Sequence, residues 1–321
     1  MGAGFGLYNS IDRIDTRLHS IECVIDSDKT LSGEFRNGLQ VKHYKEIDIN
    51  EIDCIINTTS DGYGRIKATI SEEWDEFPLE MFFGDINVFL AYEYINMVRK
   101  DIKMNPLYHI LQKRKFNLDT DKQLQYLDVY HRYMNKFREE ESVICEIGVF
   151  HGDSLKIWKE YFGSKCKIIG IDIAGDCLRF KEENVEIEIG SQSSPYFWNY
   201  IKEKYPKIDV LIDDGGHTMN QQILTWLEMF PHLSDGGIYI CEDICTSYMY
   251  GYQDDCCREK NFVEFAQEIV NAKEAAYWKP VATYNERVAR DVEAVHFYHG
   301  MVVFEKRKQG YPILFNSKVM N

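Results

Sequence analysis

The chain has no apolar run approaching the ~20 residues that a membrane-spanning helix needs, although 45% of its 321 residues are hydrophobic. No transmembrane span is therefore expected, and the apolar residues are left to build a sizeable core in about two domains. Positive charge is scarce, with 37 Lys and Arg against 52 Asp and Glu and a net charge of −15. That deficit argues against nucleic acid as a partner. Residues 1–10 have neither the basic start nor the apolar stretch of a secretory leader, so none is expected there. Metal-site cysteine spacing is missing too. The nine cysteines are odd in number, Cys54, Cys145 and Cys241 fall within apolar stretches, and neither Cys256-Cys257 nor the Cys241/Cys245 pair has ligand spacing. Free thiols in a cytoplasmic, reducing compartment are expected. No internal repeat or low-complexity segment is present.

Three zones follow one another. Residues 1–75 read as a small Rossmann-like α/β domain. A glycine turn at Gly2-Ala-Gly-Phe-Gly6 precedes a helix over about Leu7–Leu18, then short strands at Ile21–Asp26, Leu39–Val41 and Cys54–Asn57. Such a turn can hold a phosphate at a helix N-terminus, but it normally follows a strand, and no strand precedes it here. A scaffold or dimerisation role is the alternative. Residues 76–140 read as a helical connector. Ile86–Val98 is rich in large apolar residues, and Gln123–Phe137 carries Leu124, Leu127, Tyr130, Tyr133 and Met134 at helical spacing, an aromatic stripe read as core.

From residue 141 the pattern alternates strand and helix. Strands are expected at Val143–Gly148, Lys167–Asp172, Glu186–Ile189, Ile208–Ile212 and Gly237–Glu242, with helices at Leu155–Tyr161 and 219–230. That alternation predicts a parallel sheet with helices on both faces. In open α/β sheets ligands bind beyond the carboxyl ends of the strands. Two of these strands end there in acids: Asp213-Asp-Gly-Gly-His217 and Glu242-Asp243. Neighbouring strands lie about 5 Å apart, so up to four carboxylates and an imidazole would converge. Like charges so close call for a proton or a cation between them, and a divalent metal is expected.

The first strand leads into a turn with Glu146, Gly148 and Gly152, which lets backbone approach a ligand closely. Asp172, about twenty residues on, is placed to accept hydrogen bonds from ribose hydroxyls. Dinucleotides and S-adenosylmethionine both satisfy this description. Glu146 would repel a diphosphate and suits a cationic methionine moiety, which favours S-adenosylmethionine. Tyr248, Tyr250 and Tyr252 are read either as a sugar-binding patch or as solvated loop residues.

Several motifs recur in order over roughly residues 119–307: Thr120-Asp-Lys122, Glu146-Ile-Gly-Val-Phe-His-Gly152, Asp213-Asp-Gly-Gly-His217, Gly236-Gly-Ile-Tyr-Ile-Cys-Glu-Asp243, Thr246-Ser-Tyr248, Val295-His-Phe-Tyr298 and Met301-Val-Val-Phe-Glu-Lys306. Together they resemble the metal-dependent sugar O-methyltransferases of macrolide and aminocoumarin biosynthesis. The first zone resembles a nucleotide-binding-like domain found in polysaccharide-biosynthesis proteins. The resemblance implies a class I S-adenosylmethionine methyltransferase fold, a Rossmann-like, parallel-rich sheet over residues 141–321. It implies magnesium held by Asp214, Glu242 and Asp243, with His217 as general base and Asp214 beside it in the chemistry. It places the cofactor at Glu146, Gly148, Gly152, Asp172, Gln192 and Asp213. Gln192 would reach the adenine, although Ser191 and Ser194 stand where the family has acids. Gln221 stands where the family often has histidine.

The expected reaction is transfer of methyl from S-adenosylmethionine to a sugar hydroxyl of a saccharide, glycan or nucleotide-linked sugar, assisted by Mg2+. A homo-oligomer is expected. One alternative is an oxidative enzyme like the cephalosporin hydroxylases, whose iron would need two histidines and a carboxylate. Another is a nucleotide-sensing binding module.

Overall fold

The computed structural model describes residues 20–26, 28–57, 105–114, 122–252, 260–275 and 288–308, with a few single positions between 13 and 90. The glycine turn at 2–6, nearly all of the helix expected at Leu7–Leu18, most of Ile86–Val98, Thr120-Asp121 and residues 253–259 lie outside them. The chain divides into two compact units, residues 1–104 and 105–321. The part of the expected connector from 105 onward thus belongs to the second unit.

In the first unit, strand β1 (Val24–Asp26) pairs in parallel with β3 (Leu39–His43), and β2 (Phe35–Arg36) pairs antiparallel with β3. Val24 and Val41 lie opposite one another and form a small core with Leu31 and Leu39. A second parallel pair joins β4 (Ile55–Ile56) to β5 (Phe82–Phe83).

The second unit opens with two helices, α1 (Pro106–Lys113) and α2 (Tyr126–Met134). Asn105 caps α1 by accepting from the Leu107 N–H, and Pro106 fills the first turn, where no donor is needed. The other end of the Asn105 amide donates to Leu127 O at 3.0 Å, fastening α1 to α2. Strand and helix then alternate: β6 (Val143–Ile147), α3 (Asp153–Phe162), β7 (Lys167–Asp172), β8 (Val185–Ile189), α4 (Pro195–Lys204), β9 (Val210–Asp213), α5 (Met219–Met229), β10 (Ile238–Cys241), α6 (Phe262–Ala275), β11 (Val292–Tyr298) and β12 (Met301–Lys306). The sheet order is β11-β12-β10-β9-β6-β7-β8, with β12 antiparallel to both its neighbours and the rest parallel.

Residue alternation along the strands sorts the two faces. Cys145, Ile147, Ile169, Ile171, Leu211, Tyr239 and Cys241 point to the side covered by α4, α5 and α6, where Trp198, Trp226, Phe230 and Phe262 are fully buried. Trp226 and Phe230 stack at 4.8 Å between ring centroids, and Phe304 of β12 meets both rings. The opposite side carries Glu146 and Glu242 toward α2 and α3. The chain winds outward from β6 to β8, then returns to β9 and β10 on the other side of β6. That reversal opens a crevice beyond the carboxyl ends of β6 and β9.

Candidate active site

A cavity of about 430 Å³ fills this crevice, within the range of small-molecule sites. Its walls come from five successive strand ends: Ile147–Phe150 after β6, Asp172 after β7, Gly190–Gln192 after β8, Asp214–His217 after β9, and Glu242-Asp243 after β10. Lys122, Tyr126 and Ser154 complete it.

The turn after β6 is held by Asp172. Its Oδ2 accepts from the Val149 N–H at 2.9 Å and the Phe150 N–H at 3.0 Å, and its Oδ1 accepts from the Ala174 N–H at 2.8 Å. Burial works to raise this carboxyl, but the three amides outweigh it and hold it below its ordinary range. Gly148 takes φ 93°, and a Cβ built there would sit 1.9 Å from the Asp214 carbonyl oxygen. The turn after β6 and the turn after β9 therefore touch backbone to backbone. Gln192 bridges to the same turn, donating to Asp213 Oδ1 and accepting from the Gly216 N–H at 3.3 Å.

The acid cluster has two sides. On one, Lys122 Nζ lies 2.8 Å from Asp214 Oδ2, 3.1 Å from Glu242 Oε2 and 3.2 Å from Glu146 Oε1. Tyr130 OH makes a short hydrogen bond to Glu242 Oε1, and Tyr126 OH donates to Asp243 Oδ1 at 2.9 Å. On the other side, His217 Nε2 stands 3.9 Å from Asp214 Oδ1 and 3.7 Å from Asp243 Oδ2. Asp214, His217 and Asp243 each offer a ligand atom within 4.8 Å of the others. Two hard carboxylate oxygens suit magnesium, with the imidazole beside them free to act as a base, so these residues fit the metal that the motifs imply. Among the described residues no second histidine joins them, so the ligand pair that iron ligation calls for is not assembled there.

Burial works to lower the Lys122 ammonium, but the Asp214 and Glu242 carboxylates outweigh that and hold it well above its ordinary range. Glu242 is driven well above the usual carboxylate range by burial and by Asp214, against the pull of Lys122. Three acids share one ammonium, so the repulsion among them is only partly offset.

Backbone strain marks the same place. His217 and Asp243 both take left-handed conformations, at φ 56° and φ 50°, which cost about 1–3 kcal/mol each when the residue is not glycine. One hydroxyl ties both: Thr246 Oγ1 lies 3.0 Å from His217 O and 2.9 Å from Asp243 O. His217 Nδ1 is buried without a hydrogen-bond partner among the described residues.

Of the residues singled out in the sequence, Gly148, Asp172, Gln192, Asp214, His217, Glu242 and Asp243 line the cavity. Glu146, Gly152 and Asp213 are not among the residues that line it. Glu146 is fully buried, with Oε2 accepting from Ser154 Oγ at 2.6 Å and Oε1 beside Lys122. Gly152 turns its α-carbon to the Phe180 ring, 2.7 Å from where a Cβ would lie, and N-caps α3. Asp213 faces the α4–α6 side, where Tyr239 OH donates to Oδ2 at 2.9 Å and burial pushes the carboxyl up to about 7. Gln221 closes a capping box with Thr218 and reaches the cavity wall. Tyr248 and Tyr250 are largely or fully exposed, and neither lines the cavity. Lys122, Tyr126 and Tyr130 were not assigned a part at the acids by sequence reasoning. The spacing of four that puts them on one side of α2 and its approach was the available signal.

No family model matches the chain. Among curated proteins it is 31% identical over 193 residues to the 8-demethyl-8-alpha-L-rhamnosyl tetracenomycin-C 2'-O-methyltransferase of Streptomyces olivaceus, covering 57% of this chain and 50% of the relative. It is 27% identical over 188 residues to the demethylmacrocin O-methyltransferase of Streptomyces fradiae, covering 55% and 47%. The chain thus spans about half the length of the curated relatives it matches. Among solved structures it is similar to the MycE methyltransferase of the mycinamycin biosynthetic pathway in complex with Mg, SAH and mycinamycin VI. There the TM-score is 0.56 with 26% identity, over 64% of this chain and 55% of that one. The resemblance carried by the motifs and the expected class I methyltransferase fold both stand on these likenesses.

Proposed function

We propose that this chain transfers a methyl group from S-adenosylmethionine to a sugar hydroxyl with the help of Mg2+, working in the cytoplasm. The observation that carries this reading is Asp214, His217 and Asp243 converging at the mouth of a cavity whose far wall is the Asp172-held glycine turn. The relatives support it, since the Streptomyces olivaceus enzyme named above methylates a rhamnosyl-bearing molecule by its name. The seven described cysteines are all free, which fits a reducing compartment. No described helix is long and apolar enough to cross a membrane.

When bound, S-adenosylmethionine supplies a methyl made electrophilic by its sulfonium, and Mg2+ lowers the pKa of the acceptor hydroxyl. The protein supplies place and proton traffic. Asp214 and Asp243, with Glu242 behind them, would hold the metal. Asp172 and the amide-lined turn would bind the ribose end, and Gln192 would lie against the adenine. Phe150 and Ile173 expose apolar surface at the cavity, suited to covering a flat ring. His217 Nε2 would take the hydroxyl proton, its ring held at the acids by the left-handed backbone that Thr246 fastens. The acceptor is a glycosylated small molecule, a glycan or a nucleotide-linked sugar.

The test is direct. Full-length protein with labelled S-adenosylmethionine and a panel of glycosides, nucleotide sugars and oligosaccharides should transfer label to carbohydrate. EDTA should stop the transfer and Mg2+ should restore it. Calorimetry that finds no S-adenosylmethionine or S-adenosylhomocysteine binding would reject the reading.

A further inference from the structure

The Lys122 ammonium is surrounded as a cation in a metal site would be. It lies against three carboxylates from three strand ends, Asp214 Oδ2 at 2.8 Å, Glu242 Oε2 at 3.1 Å and Glu146 Oε1 at 3.2 Å, and donates hydrogen bonds to the first two. The Tyr130 and Trp158 rings close over it at 5.6 and 5.8 Å. Only 6% of the side chain is exposed, and that part opens into the cavity. Lys122 is not part of a helix: it stands in irregular chain four residues before α2 begins. A compact charge on a flexible four-carbon stem, carried by a segment outside regular structure, can leave without unravelling an element.

Two of its partners, Asp214 and Glu242, are acids that would hold the metal under the proposed function. Magnesium needs bare oxygens at about 2.0–2.1 Å in near-octahedral geometry. Both Glu242 oxygens are within hydrogen-bond reach of Lys122, at 3.2 and 3.1 Å, and the first also takes the Tyr130 hydroxyl. Glu242 is therefore not available as a ligand while the ammonium stays. Asp214 is divided, with Oδ2 on Lys122 and Oδ1 toward His217. A divalent ion arriving at Asp214 meets a positive charge across a single carboxylate.

We infer that Lys122 is a tethered stand-in for the metal: it neutralises Asp214, Glu242 and Glu146 in the metal-free protein, competes with the divalent cation, and withdraws into the cavity when that cation binds. This rests on the metal-dependent reading above. In its absence the acids would face one another with no cation among them, a costly arrangement for groups this buried. The lysine thus keeps the site open and folded while lowering its apparent metal affinity. Coupling between interacting binding events typically changes affinity 5–150-fold, and about tenfold or more is expected here.

Magnesium is titrated by calorimetry, at fixed ionic strength, into the full-length protein, Lys122→Met and Lys122→Arg. Tighter Mg2+ binding by Lys122→Met, by about tenfold or more, with Lys122→Arg near the wild type, supports the inference. Equal affinities in all three overturn it and leave Lys122 a fixed counter-ion, with the metal reading intact. No binding by the wild type or either variant removes the metal reading, and this inference with it. Should Lys122→Met not fold, the wild type decides. Lys122 acylation by an amine-reactive reagent, read by mass spectrometry, should rise several-fold on saturation with Mg2+, and unchanged labelling refutes withdrawal.

Discussion

Gly148→Ala is the substitution whose effect the local geometry sets most completely. The position has φ 93°, and an alanine Cβ would lie 1.9 Å from Asp214 O and 2.8 Å from its carbonyl carbon. Both atoms are backbone, so no side chain can swing aside. Contacts of Cβ under 3.0 Å are essentially never seen, so the turns after β6 and β9 must part by about 1 Å. A displacement of that size at a reacting centre can cost about 10²-fold in rate. The left-handed conformation adds about 1–3 kcal/mol of strain, and thermal midpoints of units of this size fall roughly 2–4 °C per kcal/mol. Gly236→Ala is the control. It has φ 79° with nothing within 4 Å of its Cβ, so it carries the strain without the collision. Thermal melts of both variants isolate the clash, and calorimetry with S-adenosylhomocysteine reads its effect on the site. Gly148→Ala should melt several degrees below Gly236→Ala and bind at least about tenfold more weakly than the wild type. Wild-type affinity with a melt matching the control would refute the contact between the two turns.

Other expectations concern single groups. His217→Ala should lose about 10²–10⁴-fold in turnover while calorimetric cofactor affinity stays within twofold or so of the wild type; a near-wild-type rate would remove the imidazole from the chemistry. Asp172→Asn places an amide against three N–H donors, at a cost of about 1–3 kcal/mol measured by denaturant unfolding at neutral pH. The Asp172 carboxyl is held below its ordinary value of 3.8, so its stabilisation is full above that pH and is lost as pH falls through the folded-state value. The gap between variant and wild type should therefore narrow in acid, and a gap constant down to low pH would contradict the assignment. Thr246→Val should cost activity more than stability, because it frees His217 and Asp243 from their shared tie; unchanged kcat would show that the strained backbone holds itself.

The sheet was legible because strand and helix periods alternate cleanly from Val143 onward, and apolar runs end in glycine or acid. The α6 helix was not among the expected elements, although Phe262, Phe265, Ala266 and Ile269 stand at helical spacing. The strand-end acids were legible as a group, but their directions were not. Asp213 and Asp214 are neighbours in sequence, and pleating sends them to opposite sides, one to Tyr239 and one to Lys122. The motif places Glu146 beside a glycine turn, and strand alternation buries its carboxylate against Ser154 and Lys122. Tyr130 was read as core, and its ring is core, but its hydroxyl ends on Glu242, 112 residues away. Pattern along a chain reports which face a residue takes and says nothing of which distant group waits there.

Every cavity acid comes from the winding that begins at β6, whereas Lys122, Tyr126 and Tyr130, which meet those acids, precede it. A chimera whose seam is drawn at β6, where the motif pattern starts, would inherit the electron-rich half of the site without its proton donors. Glu242 would then lose the ammonium and the hydroxyl it faces, and Glu146 would keep only its bond from Ser154. The smallest transplantable piece of this protein consequently begins before α2, and modular exchange among relatives would have to carry the helical lead-in together with the sheet.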